Sequence, residues 1–72
     1  MIDKYGEDVE ILRDNEIIST IKVLFQKGNK VHFKPDEDIR NGDQIHRIKT
    51  TDILTVMRVN PVANEYIEVI IE

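Results

Sequence analysis

The chain has 72 residues, with 10 Lys plus Arg against 14 Asp plus Glu and a formal net charge of −4. That length supplies one small hydrophobic core. The expected organisation is therefore a single β-barrel domain over residues 1–72, without the deep interlayer cleft that most enzyme architectures use. The absence of cysteine excludes disulfides, thiolate metal sites and thiol nucleophiles, so stability must come from packing or from a partner.

Apolar residues make up 40% of the chain and aromatics only 6%. Their kind decides the class. There are 12 Ile and 7 Val against 3 Leu and a single Ala, Ala63. β-branched residues suit a pleated surface, whereas Ala and Leu are the better helix formers. The expectation is an all-β fold, a small six-stranded antiparallel barrel of SH3-like or OB-like type. Apolar runs such as Val69-Ile70-Ile71 are far too short to span a membrane. The first six residues lack the basic stretch and apolar core of a signal peptide. A soluble, cytoplasmic protein is expected.

Six apolar segments follow one another between turn signals. The first, residues 9–12, puts Val9 and Ile11 on one face. Asp14-Asn15-Glu16 turns the chain, because Asp and Asn tolerate left-handed φ. The second, residues 17–26, directs Ile17, Ile21, Val23 and Phe25 inward and Thr20, Lys22 and Gln26 outward. Ile18 and Leu24 interrupt that alternation. The third, residues 30–34, alternates cleanly. Burying Phe25 with Val31, and Val23 with Phe33, requires a three-residue loop over Lys27-Gly28-Asn29 with Asn29 at positive φ.

Pro35 closes the third segment, since it has no N–H for a ladder. Residues 36–39 read as one turn of helix with Asp36 as its N-cap. Asn41-Gly42-Asp43 is the strongest turn signal. A fourth strand over 44–49, a turn over 50–52 and a fifth strand over 53–59 follow, and Asn60-Pro61 then breaks the chain into a loop through Asn64. The last strand, residues 65–72, buries Ile67, Val69 and Ile71 and exposes Glu68 and Ile70. Being almost wholly β-branched, it is the one expected to pair with the first strand or with another chain.

The residues offer no catalytic constellation. Ser19 is the only serine, sits mid-strand and has no Gly-rich elbow around it. His32 and His46 are the only imidazoles, and two ligands fall short of a tight metal site, so solvated surface histidines are the preferred reading. The acids Asp36, Glu37, Asp38 and Asp43 fail a calcium-loop test: Arg40, Asn41 and Arg47 occupy the fifth, sixth and twelfth positions counted from Asp36. No enzyme, cofactor, metal or small-molecule substrate is expected.

Charge is segregated along the chain. Residues 17–34 carry Lys22, Lys27, Lys30 and Lys34 without one acid, and residues 44–60 carry Arg47, Lys49 and Arg58 against Asp52 alone. A basic face of Lys22, Lys30, Lys34, Arg47, Lys49 and Arg58 would suit nucleic acid. Against it stand the net negative charge and the scarcity of rings for stacking, with Phe25 and Phe33 assigned to the core and only Tyr5 and Tyr66 left over.

The opening Tyr5-Gly6-Glu7-Asp8-Val9-Glu10-Ile11 and the following hairpin resemble the start of small head–tail joining or neck proteins of tailed phages and prophages. So does the acidic turn and Gly-Asp pair of residues 35–45, followed by Val56-Met57-Arg58-Val59-Asn60-Pro61. The resemblance covers about half of the chain. It implies a structural part, a ring or adaptor without cofactor or catalysis, in the virion or the host cytoplasm. The leading expectation is thus a non-enzymatic interaction module that contacts a protein partner or its own copies. Its contacts would come from Asp36, Asp38 and Asp43 of the acidic loop and from Tyr66, Glu68 and Ile70 of the last strand. The alternative is a nucleic-acid-binding barrel using the six basic residues.

Overall fold

A computed structural model describes residues 6–72; Tyr5, which opens the resemblance and was one of the two rings left for stacking, lies outside them. The described residues form seven strands: β1 (Asp8–Arg13), β2 (Glu16–Lys22), β3 (Phe25–Lys27), β4 (Lys30–Phe33), β5 (Gln44–Arg47), β6 (Ile53–Val62) and β7 (Tyr66–Ile71). All pair antiparallel in one sheet of order β2-β1-β5-β6-β7-β4-β3. The all-β expectation holds, with seven strands in place of six. They include no helix, and so none long and apolar enough to cross a membrane.

The sheet is bent double around one core. β6 gives its first residues to β5 and the rest to β7, with an irregularity between Val56 and Arg58 that leaves Met57 bulged and exposed. One half is therefore β2-β1-β5-β6 and the other β6-β7-β4-β3. At the opposite side the chain itself passes between the halves. Val23 still bonds beside β1, accepting from Gly6 N and donating to Glu7 O at 2.8 Å each, while the next amide, Leu24 N, donates to His32 O of β4 at 2.8 Å. Strands that change sheet in this way make the corners of orthogonal packings. No ladder joins β2 to β3, so strand pairing does not close the sheet into a barrel.

Between the halves sits an apolar cluster that includes Val9, Ile11, Val31, Phe33, Ile45 and Val69, with Leu54 and Val59 packed against it. Period-two alternation puts them there. β7 alternates buried and half-buried along its whole length, with Ile67, Val69 and Ile71 inward as the sequence predicts.

Four local expectations are corrected. The residue 17–26 segment is two strands. Ile18 occupies a β-bulge, where Ile11 faces Ser19 but Leu12 faces Ile17, and Leu24 is the corner; these are the two residues that interrupt the alternation. The bulge turns Ile17 outward, to 57% exposure. The β3–β4 hairpin pairs Lys27 with Lys30, Gln26 with Val31 and Phe25 with His32, so its loop is the two residues Gly28-Asn29. Gly28 takes φ 60° and Asn29 is not at positive φ, the pattern of a type II′ turn. Residues 36–39 form no helix; a β-turn closes instead from Glu37 N to Lys34 O at 3.2 Å. Finally, β6 continues through Pro61 to Val62, because that stretch of β6 pairs only with β7, on one side.

Other turns follow their residues. Asp14 and Asn15 both adopt positive φ, at 54° and 65°, as a two-residue type I′ loop requires. Ala63 at φ 51° and Thr51 at φ 60° are the exceptions, and Thr51 is the costlier because it is β-branched; its amide donates to Arg47 O at 2.7 Å. Left-handed backbone costs an L-residue about 1–2 kcal/mol, a cost glycine avoids. Thr51→Gly is therefore expected to stabilise the protein by about 1 kcal/mol in urea unfolding; an unchanged or lowered midpoint contradicts this.

Candidate functional site

Two faces of the bent sheet look outward, and they differ in charge. On the half containing β1 and β5, polar side chains meet partners across the strands. Lys22 Nζ meets Asp8 Oδ1 at 2.9 Å, and His46 Nδ1 meets Glu10 Oε1 at 2.8 Å across the β1–β5 ladder. The ends of that ladder are fastened by two forked ion pairs. Arg47 donates from Nε and Nη2 to Glu7 at 3.1 and 3.0 Å, and Arg13 donates from Nε and Nη2 to Asp43 at 3.0 and 2.8 Å. Glu7 and Asp43 are the two buried polar residues of the described chain. Paired forks of this kind satisfy both carboxylate oxygens at once, which makes burying the charge tolerable.

Asp43 also accepts the Arg40 amide at 2.9 Å. Burial alone pushes its carboxyl up. The Arg13 hydrogen bonds, the Arg40 amide and the Arg13 charge outweigh burial and hold it below the ordinary aspartate range. The hydrogen bond to Asp43 is likewise the main reason the Arg13 guanidinium is held above its ordinary value. Asp43, expected from the sequence as a contact residue, is buried with its oxygens occupied by Arg13 and the Arg40 amide. Asp38 is exposed but leans on Arg13 and Arg40, at 3.4 Å each. Asp36 is exposed at the 34–37 turn.

On the other half, the outward positions form rows across four strands. Arg58, Ile70 and Lys30 face one another in register, and Lys27 lies opposite Lys30 at the hairpin. The next row holds Asn60, Glu68, His32 and Phe25. Beyond it, Val62 faces Tyr66, and Lys34 follows β4 in the chain. The rings touch: His32 stacks on Tyr66 with centroids 4.2 Å apart and planes at 21°, and Phe25 lies 5.8 Å from His32 at 50°. His32 Nε2 also meets Glu68 Oε2 at 3.2 Å.

The result is a face with four exposed cations, Lys27, Lys30, Lys34 and Arg58, around half-buried rings and, within the paired rows, one carboxylate, Glu68. None of those four cations forms an ion pair among the described residues. Lys27 and Lys30 stand directly opposite each other, an arrangement that costs stability when nothing compensates it.

Of the residues picked out in the sequence, this face gathers Lys30, Lys34 and Arg58 from the basic set and Tyr66, Glu68 and Ile70 from the contact set. Lys22 and Arg47 are committed to Asp8 and Glu7, and Lys49 sits in the turn after β5. β7 is also not available for edge pairing, since β6 and β4 flank it; the outermost strands are β2 and β3. Phe25, His32 and Lys27 join this face without having been site residues in the sequence: the three-residue loop buries Phe25 and removes Lys27 from the strand, and His32 reads as a solvated surface histidine.

Among the described residues no cavity opens, and no three His, Asp or Glu side chains gather as a metal set. Comparison with protein-family models, curated proteins and solved structures gives no match.

The Asp43 carboxyl makes a pH prediction. A carboxyl lowered in the folded state contributes stability above its ordinary value of 3.8, and that contribution fades as pH falls through the folded value. Asp43→Asn is expected to be less stable than the parent at neutral pH, with the gap narrowing below about pH 4. A gap independent of pH in chemical denaturation would show that the charge is not what matters.

Proposed function

We propose that the chain is a non-catalytic binding module that holds nucleic acid on the outer face of β6, β7, β4 and β3. One observation carries the reading: a row of Arg58, Lys30 and Lys27 containing no acid, set beside the Phe25, His32 and Tyr66 rings, in a protein of net charge −4. Cations that repel one another across a hairpin gain when phosphates lie between them, and rings beside them supply base contacts. The negative charge elsewhere, much of it paired, limits non-specific attachment and leaves this face as the attractive one.

The test is fluorescence anisotropy with a labelled oligonucleotide over a salt series. Binding should weaken linearly on a log–log plot, and Lys30→Gln and Arg58→Gln should each lower the slope by about one. No complex at low salt and high micromolar protein overturns the reading.

The second reading is a structural adaptor of the phage head–tail joining type, in the virion or the host cytoplasm, working by self-association or on a protein partner. What favours it is β2, an outermost strand carrying Ile17 at 57% and Ile18 at 41% exposure. Unpaired backbone beside exposed apolar side chains invites strand addition. Sedimentation should then show concentration-dependent association that Ile17→Lys abolishes; a strict monomer counts against it.

A further inference from the structure

Resting on the nucleic-acid reading, we infer that the ligand of this face is a single strand, with a footprint of about four nucleotides, the small end of the range for compact β-barrel binders. Its bases lie on the ring ridge and its phosphates follow the cations.

The placement of charge and rings argues for a single strand over a duplex. Tyr66 and Phe25 flank His32 in a ridge that runs from the edge strand β3 across β4 to the start of β7, while Lys27, Lys30 and Arg58 lie along one side of it and Lys34 lies toward the other. A duplex buries the faces of its bases in its own stack and presents phosphates outermost. Set on this surface it would satisfy the border cations and leave the rings with nothing to cover. A single strand turns unstacked bases toward aromatic side chains and keeps its backbone to the side.

Glu68 strengthens the assignment. It is the one carboxylate in these rows, facing Asn60 on one side and His32 on the other. An acid there repels phosphate from the ring ridge and so directs the backbone to the border rows. A carboxylate also accepts hydrogen bonds from the exocyclic amino groups of bases, as aspartate and glutamate do with cytosine. Asn60, in the same row, adds both a donor and an acceptor. This row therefore suits base edges and the border suits phosphates.

Size sets the footprint. Four neighbouring strands span about 14 Å, and the three rows, each two residues apart, cover about 13 Å along the strands. That area accommodates a few nucleotides.

The decisive measurement is anisotropy with a length series of labelled oligothymidylates, with a duplex and poly-glutamate as competitors. Affinity per site should stop rising beyond about four nucleotides, and a duplex should compete about tenfold less well than its single strand. Tyr66→Ala should weaken binding about tenfold and Tyr66→Phe should restore it, with Phe25→Leu as an independent ring variant and far-UV circular dichroism confirming the fold of each. Equal binding of duplex and single strand overturns the inference and leaves the nucleic-acid reading standing. So does loss of affinity in Lys30→Gln with none in Tyr66→Ala, if the ring variant Phe25→Leu also binds normally. Preference for poly-glutamate would assign the face to an acidic protein segment, and absence of any complex removes both.

Discussion

A single peptide step, from Val23 to Leu24, determines how the rest of the chain is arranged. Val23 completes the hydrogen bonding beside β1, and the very next amide belongs to β4. A strand that changes sheet without a turn resets which side chains look inward. Val23 stays in the core at 3% exposure, while Phe25, two residues on, pairs with His32 on the outside. Had the strand run straight, Phe25 would be a core residue and the outer face would lose one of its three rings. The two-residue hairpin, the opposed lysines and the ring ridge all descend from that corner.

The corner is tolerable because the other half of the sheet is held firmly. The β1–β5 ladder joins residues far apart in sequence and is only four residue pairs long. A forked ion pair closes each end, with the acid on the β1 side at one end and on the β5 side at the other. Removing the arginine of such a pair leaves a buried carboxylate without its cation, which is destabilising. The apolar cluster supplies the bulk of the driving force, and these pairs fix where β1 lies against β5. No buried side-chain nitrogen or oxygen among the described residues lacks a hydrogen-bond partner.

Local chemistry was well legible in the sequence wherever it acts alone. The alternation of residues 67–71, the inward Val9 and Ile11, and the left-handed Asp14-Asn15 turn all follow from side-chain period and φ preference. What escaped was tertiary. Whether Pro61 ends a strand depends on whether a neighbour needs its N–H, and here none does on that side. Whether residues 36–39 coil into a helix depends on Asp43 and Ile39; Ile39 is buried in the core while Asp43 takes the Arg40 amide, so the segment is drawn into an extended loop. The site was half legible for the same reason. Tyr66, Glu68, Ile70, Lys30, Lys34 and Arg58 were each singled out, but as two separate sets, because only the strand order shows that β6, β7 and β4 lie side by side.

The alternation of β7 has a consequence for how such a protein changes over time. Tyr66, Glu68 and Ile70 occupy one side of the strand and Ile67, Val69 and Ile71 the other, so neighbours in sequence answer to different demands. Substitutions at the even positions alter what the surface meets without disturbing the packing beneath. Substitutions at the odd positions do the reverse. Surface chemistry and foldability are thereby written in interleaved letters of one six-residue word, and drift in the first need not spend any of the second.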